Sequence, residues 1–171
     1  EGSAIAGLWF LEALNIPAAV ADVMSAHLGN GVHLYEHGVI SFCNQLANDC
    51  GVRTGMTVKE AANLLLTVDS DVRAPSETTN RTIMHTSEDG RHIIATDSIA
   101  FGTDADTGKN VLVTAGHTGR SAVPYLLKCS PWGFICSDGG KGMDNSGIIG
   151  LSIVEKSGLA GATVDAKLAR M

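Results

Sequence analysis

The stretch from Asn110 to Gly142 constrains the fold more than any other part of the sequence. It predicts a strand at 110–115, a glycine loop at 116–119, a helix at 120–129, a strand at 133–137 and a second glycine loop at 138–142. Both strands are short and apolar, which is typical of strands inside an α/β sheet. Because ligands bind at the carboxyl ends of strands in open α/β sheets, the two glycine loops mark the predicted site.

The composition limits the class of protein. With 171 residues, of which 44% are hydrophobic, the chain is long enough to bury a core. A net charge of -6 argues against nucleic acid or an anionic membrane as a partner, because such surfaces need clustered Lys and Arg. No apolar run reaches the length of a membrane span, and the start lacks a signal-peptide pattern. The cysteines form no CxxC pair, which favours free thiols and a cytoplasmic location.

The two ends of the chain resemble each other. Residues 1–28 align without gaps to residues 144–171, and eight of the 28 positions are identical, whereas composition alone would give roughly two. We therefore predict a helix–strand unit that is repeated at both ends of the chain. If the repeat is real, the chain begins and ends inside repeated units, and we expect a homo-oligomer with a pseudo-symmetric arrangement.

The other elements follow from capping and periodicity. We expect a helix capped by Ser3 and ending near Leu14, a strand at 18–23, a helix at 39–49, and a helix at 57–66 opened by a Thr57–Glu60 capping box. Strands at 81–87 and 92–100 flank an Asp-Gly hairpin turn, and a helix at 146–156 precedes a strand at 159–165. The predicted fold is α/β, a mixed sheet with a β-hairpin and flanking helices. Residues 1–66 form one part, 67–80 a linker, and 81–171 the strand-rich part.

Three stretches resemble parts of the small YunC-like bacterial domains of unknown function. They are Gly133-Phe-Ile-Cys136 with the helix beyond it, Gly158-Leu-Ala-Gly-Ala-Thr-Val-Asp165, and Gly51-Val-Arg-Thr-Gly-Met-Thr-Val-Lys-Glu-Ala61. The order is permuted here, with the family's closing part at 1–66 and its opening part at 81–171. The resemblance implies an α/β fold and places Cys136 at the family's Cys position, although Ser137 stands where the family usually has Gly. It implies no particular activity.

The first glycine loop has the composition of an anion-binding loop. Gly116 and Gly119 allow backbone N–H groups to turn toward a ligand, Arg120 offers a bidentate donor, and Ser121 offers a hydroxyl. A nucleotide-hydrolysing P-loop is rejected, because the first glycine of that motif is absent and Arg120 replaces its lysine. The alternative is a tight turn between strand and helix with His117 in solvent.

The second loop supplies candidates for chemistry. Cys136 is a candidate nucleophile with His117 as its base, although a buried cysteine on the face of Phe134 would be part of the core. Asp138 precedes two glycines, so we expect it to be exposed, as a general base or as a turn residue. Gly139 and Lys141 would contribute to ligand binding.

His33-Leu-Tyr-Glu36-His37 fits the H-x-x-E-H pattern of a class of zinc hydrolases. That motif needs a sustained helix, and Gly31 and Gly38 bracket the segment. A surface loop is the interpretation that we favour, so no metal ligand is assigned.

Together these features predict a small-molecule enzyme, hydrolase- or lyase-like, that acts on a small carboxylate- or phosphate-bearing metabolite without a cofactor. Asp138, His117 and Cys136 are the predicted catalytic residues. Gly116, Gly119, Arg120, Ser121, Gly139 and Lys141 are the predicted ligand-binding residues. The alternatives are a non-catalytic oligomeric or regulatory domain and, third, a zinc hydrolase built on His33, Glu36 and His37.

Overall fold

The computed structural model describes residues 5–69 and 80–168. The chain divides into two compact units, whose described parts are 5–69 and 80–168. Most of the predicted linker, residues 70–79, and Ser3, the predicted cap of the first helix, lie outside the described residues.

The first unit combines four short helices with a small antiparallel sheet. Its elements are α1 (Gly7–Ala13), β1 (Ala19–Ala21), α2 (Gly31–His37), β2 (Ile40–Cys43), α3 (Gln45–Asp49) and α4 (Val58–Leu65), with β1 paired to β2. The predicted capping box of α4 is confirmed: the Thr57 hydroxyl accepts the Glu60 N–H at 3.2 Å, and the Glu60 carboxylate accepts the Thr57 N–H at 2.9 Å. Ile40, Ala47, Val52 and Ala61 form the core of this unit.

The predicted helix at 39–49 is wrong in its first half. Residues Ile40–Cys43 form β2, and the helix begins only at Gln45. Pairing with β1 makes Ile40–Cys43 a strand. At its start, the N–H of the buried Ile40 donates to the Met56 C=O and its C=O accepts the Gly55 N–H, both at 2.8 Å. Asn44 then caps α3 by accepting the Ala47 N–H at 3.0 Å.

The second unit is built on a five-stranded sheet in the order β3-β4-β5-β6-β7. The strands are β3 (Arg81–Thr86), β4 (His92–Thr96), β5 (Val111–His117), β6 (Gly133–Ser137) and β7 (Gly161–Val164). The helices are α5 (Val123–Cys129) and α6 (Ile149–Glu155). The β3–β4 hairpin is antiparallel and the other three pairs are parallel, so the predicted α/β fold with a mixed sheet and a hairpin is confirmed.

One face of this sheet carries the core. Leu112 of β5 pairs with Phe134 of β6, and both pack with Leu126 of α5 and Val154 of α6. Each such side chain contributes about 1.5–3 kcal/mol by leaving water. Side chains alternate along a strand, so Ile135 lies on the opposite face, where it is 36% exposed.

A buried carboxylate joins the amino end of β5 to the hairpin. Asp106 is fully buried and accepts hydrogen bonds from Arg81 Nη2 at 2.6 Å, Asn110 Nδ2 at 2.9 Å and the Thr103 N–H at 2.8 Å. Burial by itself would raise the pKa of Asp106, but the bonds from Arg81, Asn110 and Thr103 outweigh it and hold that pKa below its ordinary value. Asn110 in turn accepts the His92 N–H at 3.0 Å, which ties β4 into the same network.

The two predicted repeat segments have the same local structure but different sheet partners. Each is a seven-residue helix followed by a short strand, α1–β1 at one end and α6–β7 at the other. β1 pairs antiparallel with β2, whereas β7 pairs parallel with β6. The repeat as a duplication, and the oligomer deduced from it, stay predictions.

Asp106→Asn should lower the free energy of unfolding by about 3 kcal/mol, because it leaves the half-buried Arg81 guanidinium without its counter-charge. The measurement is urea unfolding at neutral pH. Asp104→Asn, an exposed neighbour, is the matched control and should stay within about 0.5 kcal/mol of the parent. Equal losses in the two variants would contradict the role assigned to the buried carboxylate.

Candidate functional site

The predicted site residues meet at the carboxyl edge of the sheet. The end of β5 and the end of β6 lie side by side, with His117 as the register partner of Ser137. The loops after both strands are tied to the segment that leads into α6: the Thr118 C=O accepts the Gly150 N–H at 2.8 Å, and the Lys141 C=O accepts the Gly147 N–H at 2.6 Å. One edge therefore carries both predicted loops.

The loop glycines do not supply the donors that the sequence suggested. Four glycine N–H groups each donate to the side chain two residues earlier, which is the geometry of a side-chain turn. The bonds run from Gly116 to Thr114 (3.1 Å), from Gly119 to His117 (2.9 Å), from Gly139 to Ser137 (3.1 Å) and from Gly140 to Asp138 (2.8 Å). The predicted role of Gly116, Gly119 and Gly139 as backbone donors to a ligand is therefore corrected.

The cations beside these loops remain exposed. Arg120 and Ser121 begin a 3₁₀ turn, Arg120–Ala122, so the predicted helix at 120–129 starts only at Val123. Lys141 is exposed in the second loop and has a φ of 68°, a left-handed conformation that is uncommon for a side-chain-bearing residue. The side chains of Arg120, Ser121 and Lys141 are all exposed in the loops that follow β5 and β6.

His117 is half-buried and neutral at pH 7. Burial lowers the pKa of its imidazole below the ordinary value. Because Nδ1 accepts the Gly119 N–H at 2.9 Å, the single proton of the neutral ring lies on Nε2. His117 therefore presents a hydrogen-bond donor, and its register partner Ser137 places it on the face opposite to Cys136.

Cys136 belongs to the core. The residue is fully buried and packs in the same cluster as Phe134. Burial raises the pKa of its thiol, and the nearby hydroxyls of Thr118 and Thr114 only partly offset that effect. A buried, protonated thiol is an inert small hydrophobe, so the geometry favours the structural interpretation of Cys136 over the nucleophile.

Asp138 is buried, with 4% of its surface exposed, and the predicted exposure is therefore wrong. Its Oδ1 accepts the Gly140 N–H at 2.8 Å and the Ala166 N–H at 2.9 Å, while its own N–H donates to the Val164 C=O at 2.8 Å. Asp138 thus fastens the segment after β7 to the end of β6. The two glycines that follow Asp138 do not predict its exposure, because its burial depends on Ala166, which lies 28 residues away in the chain.

Thr118 follows His117 at the end of β5. The residue is fully buried, and its hydroxyl lies beside the Cys136 thiol, whose pKa it lowers in part. No pattern in the sequence distinguishes Thr118 from an ordinary loop threonine.

The H-x-x-E-H segment lies on α2, a two-turn helix capped by Asn30, and not in the predicted surface loop. The His33 ring stacks on the His27 ring with centroids 4.1 Å apart, and it lies 4.5 Å from the His37 ring. In stacked rings the nitrogen atoms lie next to each other and do not converge, whereas the nitrogen ligands of zinc converge on the metal ion at a distance of about 2 Å. Within residues 5–69 and 80–168, no group of three potential ligands is arranged to hold a metal ion.

Comparisons of the chain with family models, curated proteins and solved structures find no match. The resemblance to YunC-like domains therefore stays a prediction. None of the four cysteines is in a disulfide, and no helix in the described ranges is long and apolar enough to cross a membrane.

The pKa of His117 predicts a pH dependence of stability. Its folded-state pKa is below the unfolded value, so the unfolded chain takes up the proton first and stability falls as pH drops below about 6.5. His117→Asn should reduce the loss of unfolding free energy between about pH 7.5 and pH 5.5. His85→Asn, at an exposed position of β3, should keep the parent's loss. An unchanged pH dependence in His117→Asn would contradict the burial of the neutral ring.

Proposed function

We propose that this protein is a small-molecule enzyme, hydrolase- or lyase-like, whose substrate is a small carboxylate- or phosphate-bearing metabolite. The substrate binds at the carboxyl ends of β5 and β6. The observation that carries the proposal is the bond from the Gly119 N–H to His117 Nδ1 at 2.9 Å, which leaves Nε2 to carry the proton of a neutral ring. Neutral imidazoles of this kind polarise carbonyl groups in enzymes.

The roles of the neighbouring side chains follow from their charge and exposure. Arg120 offers a planar fork that matches a carboxylate or phosphate, and Lys141 adds a second cation from the other loop. The Ser121 hydroxyl completes the set of donors. The Nε2–H of His117 stabilises negative charge on the reacting oxygen, which is the charge that hydrolysis and elimination next to a carboxylate both develop.

Two of the predicted catalytic residues take supporting roles in this proposal. Asp138 holds the β6 loop to the segment after β7, and Cys136 fills the core beneath the site. No metal and no cofactor enters the proposed chemistry. A cytoplasmic location and a homo-oligomeric state remain part of the proposal.

Arg120→Ala should weaken binding of inorganic phosphate or malonate by roughly tenfold to a hundredfold, because a hydrogen bond to a charged group contributes about 1.5–3 kcal/mol. Arg120→Lys should recover only part of this loss, since an ammonium cannot reproduce the planar fork. Lys128→Ala, an exposed cation in the last turn of α5, is the control and should bind like the parent. Calorimetric titration measures all four proteins.

His117→Asn separates the two functions of the imidazole. An asparagine oxygen can still accept the Gly119 N–H, but the Nε2 donor is lost. We expect normal folding and roughly tenfold weaker binding of the same anions. Anion binding that is unchanged in both Arg120→Ala and His117→Asn would refute the proposed site.

A second candidate is a non-catalytic oligomeric or regulatory domain. It is favoured by the sheet face opposite to the core, where Ile93 is 38%, Ile135 36% and Val164 44% exposed. On this hypothesis the glycine loops are only tight turns, and Arg120→Ala would lower the melting temperature without altering the binding of any anion.

A further inference from the structure

A cavity of about 660 Å³ lies beside α6 and the start of β7. Its lining includes Leu151, Glu155, Leu159 and Gly161. β7 is the last strand in the sheet order, so its outer edge is unpaired within residues 80–168. The cavity is separate from the proposed anion site at the strand ends.

The repeat alignment shows what occupies the same place in the first unit. The counterparts of these four lining residues are Leu8, Glu12, Ile16 and Ala18. There the Asn44 side chain donates to the Ile16 C=O at 2.8 Å and to the Leu8 C=O at 3.4 Å, and accepts the Ala18 N–H at 3.0 Å. The Glu12 carboxylate accepts the Gln45 N–H at 2.7 Å. The junction of β2 and α3 therefore fills the position that corresponds to the cavity.

Hydrogen bonds at the ends of the two helices show that the backbones correspond, beyond the shared residue types. The N–H of Asn15 bonds the Glu12 C=O at 2.9 Å, and the N–H of Gly158 bonds the Glu155 C=O at the same distance. Asn15 and Gly158, which are aligned, both have positive φ, 60° and 77°.

The strand ends correspond as well. After the strands, Asp22 Oδ1 accepts the Met24 N–H at 2.9 Å, and the aligned Asp165 Oδ1 accepts the Lys167 N–H at 2.7 Å. The two segments therefore share the same turns after the helix and after the strand.

The backbone groups of Gly161 on the outer edge of β7 point in the same way as those of Ala18, which bond to Asn44 in the first unit. The Phe134 N–H bonds the Ala160 C=O at 3.1 Å, and the Asp138 N–H bonds the Val164 C=O at 2.8 Å. Because successive residues of a strand alternate in direction, the N–H and C=O of Gly161 point away from β6. In the first unit, the C=O of the aligned Ala18 accepts the Asn44 N–H at 2.9 Å, and the Ala18 N–H donates to the Asn44 side-chain oxygen at 3.0 Å.

We propose that the cavity and the free edge of β7 bind the β2–α3 segment, Ile40–Asp49, of a second copy of this chain. The Asn44 side chain bonds Leu159 and Gly161, and the Glu155 carboxylate accepts the Gln45 N–H. The β2 strand pairs antiparallel with β7, with Cys43 opposite Ala162, as it is opposite Ala19 within its own unit. The second copy gives up its own β1–β2 pairing to do so, and a β2–β7 pairing between the chains replaces it.

The reverse exchange, in which β1 takes the place of β7 on β6, is excluded by packing. A Cβ at Gly161 would overlap the Phe134 ring. The residue aligned with Gly161 is Ala18, directly before β1, which carries such a Cβ. The free edge of β7 is therefore the surface that is open to exchange.

A cysteine at Ala162 tests this pairing in the full-length chain. Residues directly opposite each other in an antiparallel pair are close enough for a disulfide, about 4.5–5.5 Å between Cα atoms. Under mild oxidation, Ala162→Cys should form a covalent dimer whose peptide map contains the 43–162 bond. Ala19→Cys is the positive control, since it should form a 19–43 bond within one chain.

Thr163→Cys, the next residue of β7, points to the other face and is the matched control for background oxidation. A 43–162 bond no more abundant than the 43–163 bond in that control would overturn the proposal. A 43–162 bond found only in monomers would also overturn it, because the occupant would then not be a second copy. A dimer linked by 43–162 supports it.

The charged contact gives a second, independent test in the Ala162→Cys protein. Glu155→Gln replaces a charge-assisted bond to Gln45 by a neutral one, and the yield of the 43–162 dimer should fall about fivefold. Lys156→Gln, an exposed residue just after α6 and outside the cavity lining, should leave the yield unchanged. Equal yields in all three proteins would overturn the assigned role of Glu155.

Discussion

The buried carboxylate of Asp106 is the constraint on which the second unit depends. A buried carboxylate is stable only when hydrogen-bond donors surround it. The donors to Asp106 come from Arg81 of β3, Thr103 and Asn110. Satisfying one side chain therefore fixes the hairpin, the loop before β5 and, through Asn110 and His92, the start of β4. The exposed cations and the half-buried histidine lie at the carboxyl ends of β5 and β6.

At that edge the loops are held by their own side chains. Four glycine N–H groups of these loops find an acceptor two residues earlier. In the proposed site an anion would therefore be bound by side chains, and the Gly119 N–H orients the His117 ring. The same bond that ends β5 sets the tautomer, which links the local structure to the proposed chemistry.

Local signals were predictable, and signals that depend on distant partners were not. The Thr57–Glu60 box and the Asp-Gly hairpin are short-range patterns, and both elements formed as expected. The helical pattern at 39–49 is misleading over β2, because the strand character of β2 depends on its pairing with β1. Asn44 ends β2 and caps α3, a boundary that the pattern does not reveal. The burial of Asp138 depends on a partner beyond β7, which no local window contains. The predicted site residues lie at the ends of β5 and β6, and their roles in ligand binding remain predictions.

The central claim is that a small anion binds at a neutral, donor-bearing His117. The most direct measurement is the ¹⁵N NMR spectrum of the His117 ring at about pH 7, with and without phosphate or malonate. The account predicts an unprotonated Nδ1 and a protonated Nε2, with Nε2 and the amides of 118–121 shifting when the anion is added. A cationic ring at that pH, or shifts that leave His117 and these amides unchanged, would contradict it.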